Sequence, residues 1–315
     1  MLSNYNKGEN ITIQGFVESL VEKKTKKQKP YTQLTLSKGG KATRCFIWDT
    51  SLKQSGLQQN DVIEVSGAVN IYNEFRSLHI SEFKKIQITE ELQDELLPHL
   101  PAEELDAYKL EINKLVEMVE DSDYRKILVA LLKKHKKEIF VAPAAAKVHE
   151  ACVNGLIKHT ANVAAIALEV GKIYATAIDM SLLVTASILH DIGKIHTYIF
   201  NEFAIEYTKP GFMMDHLAMG SEMVSDIVRE KNIAISEEKL LLLKHCILSH
   251  HGKVSNGWGS PVSPAIPEAL ILHGCDMIDS QLSIMLDAID ELKSGESSKD
   301  KNYFIGNFIY RKRQE

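Results

Sequence analysis

Cysteine is scarce in this chain. Cys45, Cys152, Cys246 and Cys275 are spread over 315 residues, and no two stand as Cys-x-x-Cys. That spacing argues against a disulfide scaffold and against a thiolate zinc site. Three of the four lie in apolar helical patterns and read as reduced core residues. Long apolar runs are missing too: none approaches the ~20 residues that a membrane span needs. Nor does one sign of charge prevail. Lys and Arg number 37 and Asp and Glu 42, a net −5, so the molecule is no general polyanion binder. Any nucleic-acid contact must come from a local basic patch. The start, Met1-Leu2-Ser3-Asn4-Tyr5-Asn6, has neither the basic cluster nor the apolar stretch of a leader, and a cytoplasmic location is the expectation. What the chain does have is an ordinary apolar fraction, 44%, which supports a sizeable core. Its length suggests two domains at roughly 100–200 residues each.

The first 88 residues alternate and turn in short units. Ile11 to Val17, Tyr31 to Leu36, Thr43 to Trp48, Asp61 to Val69 and Ser77 to Ile80 give about five strands, with a short helical piece, Ser51 to Gly56, after the third. Such a pattern predicts a small β-barrel. The first hairpin carries Lys23, Lys24, Lys26, Lys27 and Lys29 before Pro30. A lysine run alone is ordinarily a solvated loop. Exposed aromatics nearby would turn it into a single-strand binding surface by stacking, and Tyr31, Phe46, Trp48, Tyr72 and Phe75 are the candidates. Strand alternation predicts that about half of these are core.

From Thr89 the period becomes helical. Leu92, Leu96 and Leu97 form a short stripe stopped by Pro98, and Leu105 to Val119 mark a longer helix. Ser122 or Asp123 is positioned to cap the next, which runs through Leu132 into Lys133-Lys134-His135-Lys136-Lys137. Cations at a helix C-terminus suit its dipole, so this run has a purely structural explanation. Pro143-Ala144-Ala145-Ala146 makes a break or a new start. The expected division is 1–88 barrel, 89–148 helical connector, 149–292 helical domain and 293–315 tail. In the tail, Asn302 to Ile305 and Phe308 to Tyr310 are apolar enough to dock on a domain or on a second subunit of a homo-oligomer.

The helical domain carries the chemistry. Met180 to Leu189 is apolar nearly all round, which predicts a buried helix, and His190-Asp191-Ile192-Gly193-Lys194 follows at once. Adjacent helical side chains diverge by about 100°. The pair can therefore share one ion only at a helix end, or Asp191 can turn one oxygen to each of two ions, which imidazole cannot do. Further histidines and aspartates stand at the ends or inner faces of other apolar helices: His159, Asp215-His216, His250-His251, His273, Asp276 and Asp279. A lone histidine on such a face is more often a satisfied core residue. Burying this many without partners would be costly, and convergence on a metal explains them together. Imidazole and carboxylate without thiolate suit Mn, Fe, Zn or Ni.

In sequence order His159, His190-Asp191 and Asp276 resemble the H…HD…D pattern of the HD-domain metal-dependent phosphohydrolases. Gly155-Leu156-Ile157-Lys158-His159-Thr160, Ser249-His250-His251-Gly252 and Leu272-His273-Gly274-Cys275-Asp276 sharpen the match. With a small barrel in front, nearly the whole chain is similar to the YhaM-type 3′-5′ exoribonucleases. The resemblance implies a multi-domain α+β protein: a five-stranded OB-fold barrel, then an all-α HD bundle. It implies one metal on His159, His190, Asp191 and Asp276 with Asp191 bridging, and a second on His216 and one of His250 or His251. Mn²⁺ is favoured over Fe, Ni, Co or Mg. Asp191 and Lys194 are the implied catalytic residues, Lys194 neutralising phosphate. Lys23, Lys24, Lys26, Lys27, Tyr31 and Trp48 would hold the strand, single-stranded RNA or DNA, with nucleoside 5′-monophosphates as product. His149 stands at a substrate position or in solvent, and Asp279 behind the ligands or at the surface. Two rivals keep parts of this picture. One is a phosphohydrolase of small nucleotides, although the Gly-Tyr-Pro motif of the cyclic-dinucleotide branch is lacking. The other is a non-catalytic single-strand binding module.

Overall fold

A computed structural model describes every residue except Ser3, 73–74, 146–151, 201–202, Trp258 and 314–315. His149 lies outside the described residues. The chain divides into two compact units. One comprises Met1–Pro98, Phe200–Ala204 and Ile284–Glu315; the other comprises His99–Ile199 and Ile205–Ser283.

The first unit is built on β1 (Asn10–Lys24), β2 (Pro30–Lys38), β3 (Lys41–Ile47), α1 (Leu52–Ser55), β4 (Val62–Tyr72) and β5 (Phe75–Lys85). The strands close as β1-β2-β3-β5-β4, and only β3 and β5 run parallel. A five-stranded closed barrel with a helix between the third and fourth strands is the OB-fold arrangement. Leu34, Leu36, Cys45, Ile63, Val65 and Leu78 fill its interior. Ser51 caps α1 in a reciprocal box with Gln54, and Gly56 ends it in the left-handed region. The first hairpin is longer than its alternation suggests. Lys23 and Lys24 still pair with Tyr31 and Pro30, so only Lys26, Lys27 and Lys29 occupy the turn. α2 (Glu90–Leu96) buries Leu92 and Leu96 in a cluster with Phe16, Val62 and Phe203. The C-terminal stretch is tied down by backbone bonds, Ser298 N to Ile309 O at 2.7 Å and Arg311 N to Glu296 O at 2.9 Å. Of its apolar residues Ile309 is buried, while Tyr303, Phe304, Phe308 and Tyr310 are exposed.

The second unit is helical: α3 (Ala102–Glu117), α4 (Ser122–Lys134), α5 (Lys136–Val141), α6 (Gly155–Ile173), α7 (Met180–Leu189) and α8 (Lys194–Thr197). A short hairpin, β6 (Tyr198–Phe200) and β7 (Ile205–Tyr207), leads to α9 (Lys209–Glu230), α10 (Glu237–Ser249) and α11 (Pro267–Asp290); Phe200 and the part of α11 from Ile284 on are counted with the first unit. The cap of α4 is Asp121, one residue before the expected Ser122 or Asp123. Its carboxylate accepts from Asp123 N at 3.0 Å and Tyr124 N at 3.1 Å. The basic run does not continue α4: His135 breaks it, and Lys136 starts α5. α7 is central, with every side chain from Leu182 to Leu189 buried. It packs with Leu115, Tyr124, Ile127, Ala164, Ile247 and Leu272 in one core. Burial on all sides is why its pattern shows no polar face.

Candidate metal centre

The end of α7 sets the centre. His190 is its C-cap, and its Nδ1–H donates to the Ser187 carbonyl at 2.8 Å. A carbonyl only accepts, so Nε2 keeps the lone pair. That Nε2 lies 3.3 Å from His159 Nε2 and 3.3 Å from Asp191 Oδ2. α6 supplies His159, whose Nε2 is also 3.2 Å from Asp276 Oδ1 on α11 and 3.4 Å from Asp191 Oδ2. His159 Nδ1 meets Asp279 Oδ2 at 2.7 Å. Asp279 is thus neither a ligand nor a surface residue: it is buried and fixes the His159 ring. Only the three-dimensional packing of α11 on α6 reveals that partnership.

A second set faces the other oxygen of Asp191. Its Oδ1 is 3.3 Å from His216 Nε2 and 3.6 Å from His250 Nε2. His216, His250 and His251 bring ring nitrogens within 4.8 Å of one another, and His159, His190 and Asp191 bring two ring nitrogens and a carboxylate oxygen equally close. His250 repeats the His190 device at the C-cap of α10, with Nδ1 donating to the Ile247 carbonyl at 2.7 Å. His216 begins the second half of α9, after a break at Asp215 with φ 62° and ψ 159°. Asp215 Oδ1 accepts from His216 N at 2.6 Å and from His216 Nδ1 at 2.5 Å. All four imidazoles therefore turn Nε2 inward. His251, adjacent to His250, stands 4.4 Å from it ring to ring and 5.0 Å from His216. His273 lies outside the set and donates from Nδ1 to the His250 carbonyl at 2.9 Å.

Two glycines make this packing possible. A Cβ on Gly193 would sit 2.1 Å from the His216 carbonyl oxygen, so only glycine lets the turn after Asp191 approach α9. Gly252 has φ +87°, and a Cβ there would meet the His273 ring at 2.4 Å.

The centre is charged and largely buried. His159, His190, Asp191, Lys194, His216, His250 and Asp279 are all buried. Lys194 Nζ is 2.6 Å from Asp191 Oδ2. Burial alone would raise the Asp191 carboxyl, but Lys194, His190 and His159 hold it well below the usual carboxylate range. Asp276 is likewise held low against its burial, chiefly by His159. Burial pushes His190 and His216 down, and His251 to about 3, so these rings are neutral at pH 7. Burial acts on His159 in the same sense, yet Asp191, Asp276 and Asp279 raise it well above its ordinary value. The carboxylates thus make a strongly cation-stabilising field. Asp191 Oδ1, His216 Nε2 and His250 Nε2 are buried without a hydrogen bond, while Asp191 Oδ2 faces Lys194. Orphaned acceptors in a buried pocket cost free energy, and a divalent cation satisfies them together. The residues present fit such an ion, and Asp191 turns one oxygen toward each histidine group.

The barrel's outer surface holds a separate group. Strand alternation points Thr32, Leu34, Leu36, Cys45 and Ile47 inward, so Tyr31, Phe46 and Trp48 all face out. None of the five candidate aromatics is core, contrary to the even split expected, and Tyr72 and Phe75 are more than 70% exposed. Tyr31 and Trp48 lie 4.8 Å apart, Phe46 stacks on Trp48 at 5.4 Å and 13°, and His79 meets both edge-on. Lys23, Lys24, Lys26 and Lys27 are exposed, and Lys23 pairs with Tyr31 across the ladder. His79 was not among the expected strand-holding residues; the parallel register of β3 with β5, which pairs it with Phe46, places it there.

Among known proteins, the model of the HD domain matches residues 156–281. The 3′-5′ exoribonuclease YhaM of Oceanobacillus iheyensis is 31% identical over 277 residues, covering 86% of this chain and 84% of that one. The protein of the same name from Listeria innocua is 29% identical over 302 residues, covering 95% and 94%. A solved structure, the second OB-fold domain of replication protein A from Methanococcus maripaludis, covers 28% of this chain and 95% of its own at 18% identity and a TM-score of 0.23. Among the described residues no helix is long and apolar enough to cross a membrane.

Proposed function

Because the chain belongs to the family of the YhaM 3′-5′ exoribonucleases, we propose that it removes nucleoside 5′-monophosphates from the 3′ end of single-stranded RNA. The observation that carries this reading is the division of Asp191: one carboxylate oxygen toward His159 and His190, the other toward His216 and His250. His159, His190, Asp191 and Asp276 would hold one divalent ion, and His216, His250 and His251 with Asp191 a second. Such ions, Mn²⁺ the favoured choice, supply Lewis acidity toward phosphoryl oxygens and toward water. The protein's own share is placement. The inward Nε2 atoms fix the ligand geometry, and buried Lys194 offsets the negative charge that phosphoryl transfer concentrates. The buried surroundings strengthen both effects.

The barrel, residues 1–88, would hold the strand by stacking on Tyr31, Phe46 and Trp48 and by the charge of Lys23, Lys24, Lys26 and Lys27. Residues 149–292 carry the hydrolytic domain, and 89–148 connect them. Stacking is sequence-tolerant, so little base preference is expected. The test is incubation of 5′-labelled single-stranded RNA, and in parallel DNA, with Mn²⁺ or with EDTA. A ladder shortening from the 3′ end under Mn²⁺ alone supports the proposal. Internal cuts, or no mononucleotide with any divalent ion, would overturn it. Equal turnover of a dinucleotide and a long strand would show a small-nucleotide phosphohydrolase instead.

A further inference from the structure

A cavity of about 280 Å³ lies within the helical unit, apart from the metal centre, among α3, α4, α5 and α6. Its walls are aliphatic and aromatic: Ile112 and Val116 on α3, Leu132 on α4, Ile139 and Phe140 on α5. Asn113 and Thr160 are the uncharged polar side chains that line it. Lys109, Lys133 and Lys136 complete the lining, with no acidic side chain among the described residues there. Lys109 lies over the Phe140 ring at 5.4 Å and pairs with Asp106 at 2.8 Å. Lys133 and Lys136 are exposed and make no ion pair among the described residues. The sequence explains the basic run as dipole compensation at one helix end, but the break at His135 puts Lys136 on a new helix start, where a cation is disfavoured. The dipole thus accounts for Lys133 but not for Lys136.

We propose that this cavity binds a medium-chain fatty acid, the tail among the apolar walls and the carboxylate at Lys133 and Lys136. The volume lies just below the roughly 300–1,000 Å³ of drug-sized ligand sites, as suits a small, slender ligand. A nucleobase is a poor occupant, because its donors and acceptors would be buried against aliphatic groups without partners. A nucleic-acid backbone needs the lysines but no cavity. An aliphatic chain ending in one anion uses both features. The inner wall gives binding a consequence. Ile157 and Thr160 flank His159 on α6, and Ile188 and Ile192 flank His190 and Asp191. An occupant would brace the segments that carry those ligands.

The experiment is calorimetric titration of the full chain with decanoate, with decanol and acetate as controls and phosphatidylglycerol vesicles as a competitor. One decanoate per chain is expected, with no acetate binding and a higher melting temperature. The K133Q/K136Q double variant should weaken decanoate about three- to thirtyfold and leave decanol unchanged. Val116→Trp, which fills the cavity, should abolish both. Equal binding of decanoate and decanol to the native chain would overturn the proposal. So would unchanged affinity in a folded Val116→Trp protein, or capture by vesicles in place of free decanoate. A double variant that loses single-stranded RNA affinity while binding decanoate normally would assign the lysines to the strand and overturn it as well.

Discussion

Replacing Asp191 by Asn changes one heavy atom and one charge, and the structure fixes the consequences. Both oxygens are buried, with Lys194 Nζ 2.6 Å away and itself buried. Removing the carboxylate leaves an ammonium without its partner, which costs about 3–5 kcal/mol for a buried pair. In a unit the size of the helical one, roughly 2–4 °C accompany each kcal/mol, so the metal-free variant should melt about 6–20 °C lower. Asn keeps one carbonyl oxygen and presents an N–H₂ where the other stood. It can face one ligand group but not both, and at most one ion per chain should remain. The assays are calorimetry after EDTA treatment, metal content by mass spectrometry, and the RNA ladder. Adding Lys194→Met should recover much of the melting temperature, since an apolar replacement removes the orphaned charge, yet restore neither metal nor turnover. A single variant with native stability and a full metal complement would refute the reasoning.

Asp279→Ala should weaken metal binding about 10–100-fold by releasing the His159 ring, read by metal titration; unchanged affinity would reduce Asp279 to packing. Gly193→Ala drives a Cβ to 2.1 Å from the His216 carbonyl, so a loss of about 1–3 kcal/mol or more is expected, with His216 displaced. A variant that melts normally would show that α9 yields. Trp48→Ala should lower single-stranded RNA affinity by about 1–3 kcal/mol without changing turnover of a very short oligonucleotide, separable by binding and kinetic assays. At Asp121, Lys239 and two backbone N–H groups outweigh burial and hold the carboxyl below its ordinary 3.8. A depressed folded value means that this stability is present above pH 3.8 and is lost as pH falls through the folded value. Asp121→Ala should therefore cost about 0.5–2 kcal/mol at pH 7 as a lost cap, and the gap to the native protein should narrow below pH 3.8 in denaturant titrations.

The barrel was legible because its strands are short and alternate, and the helix after the third strand announces itself through Ser51 and Gly56. The aromatic face was not, because Thr32 disguises the parity. It is polar yet buried, and its hydroxyl donates to the Thr50 carbonyl at 3.1 Å. Counting Leu34 and Leu36 as inward on one strand, and Cys45 and Ile47 on the next, would have sent Tyr31, Phe46 and Trp48 outward together. Strand ends were hidden for another reason: Lys23 and Lys24 look like loop, but the ladder with β2 continues through them. The order His159, His190-Asp191, Asp276 stands in the sequence, whereas the partners that orient the rings do not. Asp279 lies 120 residues from His159 and meets it only through the packing of two helices. A carbonyl partner such as that of Ser187 or Ile247 has no sequence signature at all.

Those carbonyls explain why two of the candidate ligands, His190 and His250, stand at helix ends. The last carbonyls of an α-helix have no intrahelical donor, and the aligned peptides leave partial negative charge there. His190 and His250 use this twice over. Each caps its helix, gives its Nδ1–H to the carbonyl three residues back, and so satisfies an orphan group while fixing Nε2 inward. The same end supplies a field that favours a cation. His159 and His216 sit elsewhere along their helices, lack a free terminal carbonyl, and use Asp279 and Asp215 instead. One requirement, a single tautomer per ring, is met by backbone where a helix ends and by carboxylate where it does not. Substituting Ser187 or Ile247 should then leave metal affinity nearly intact, because only the backbone of those residues is used, while substituting Asp279 or Asp215 should not.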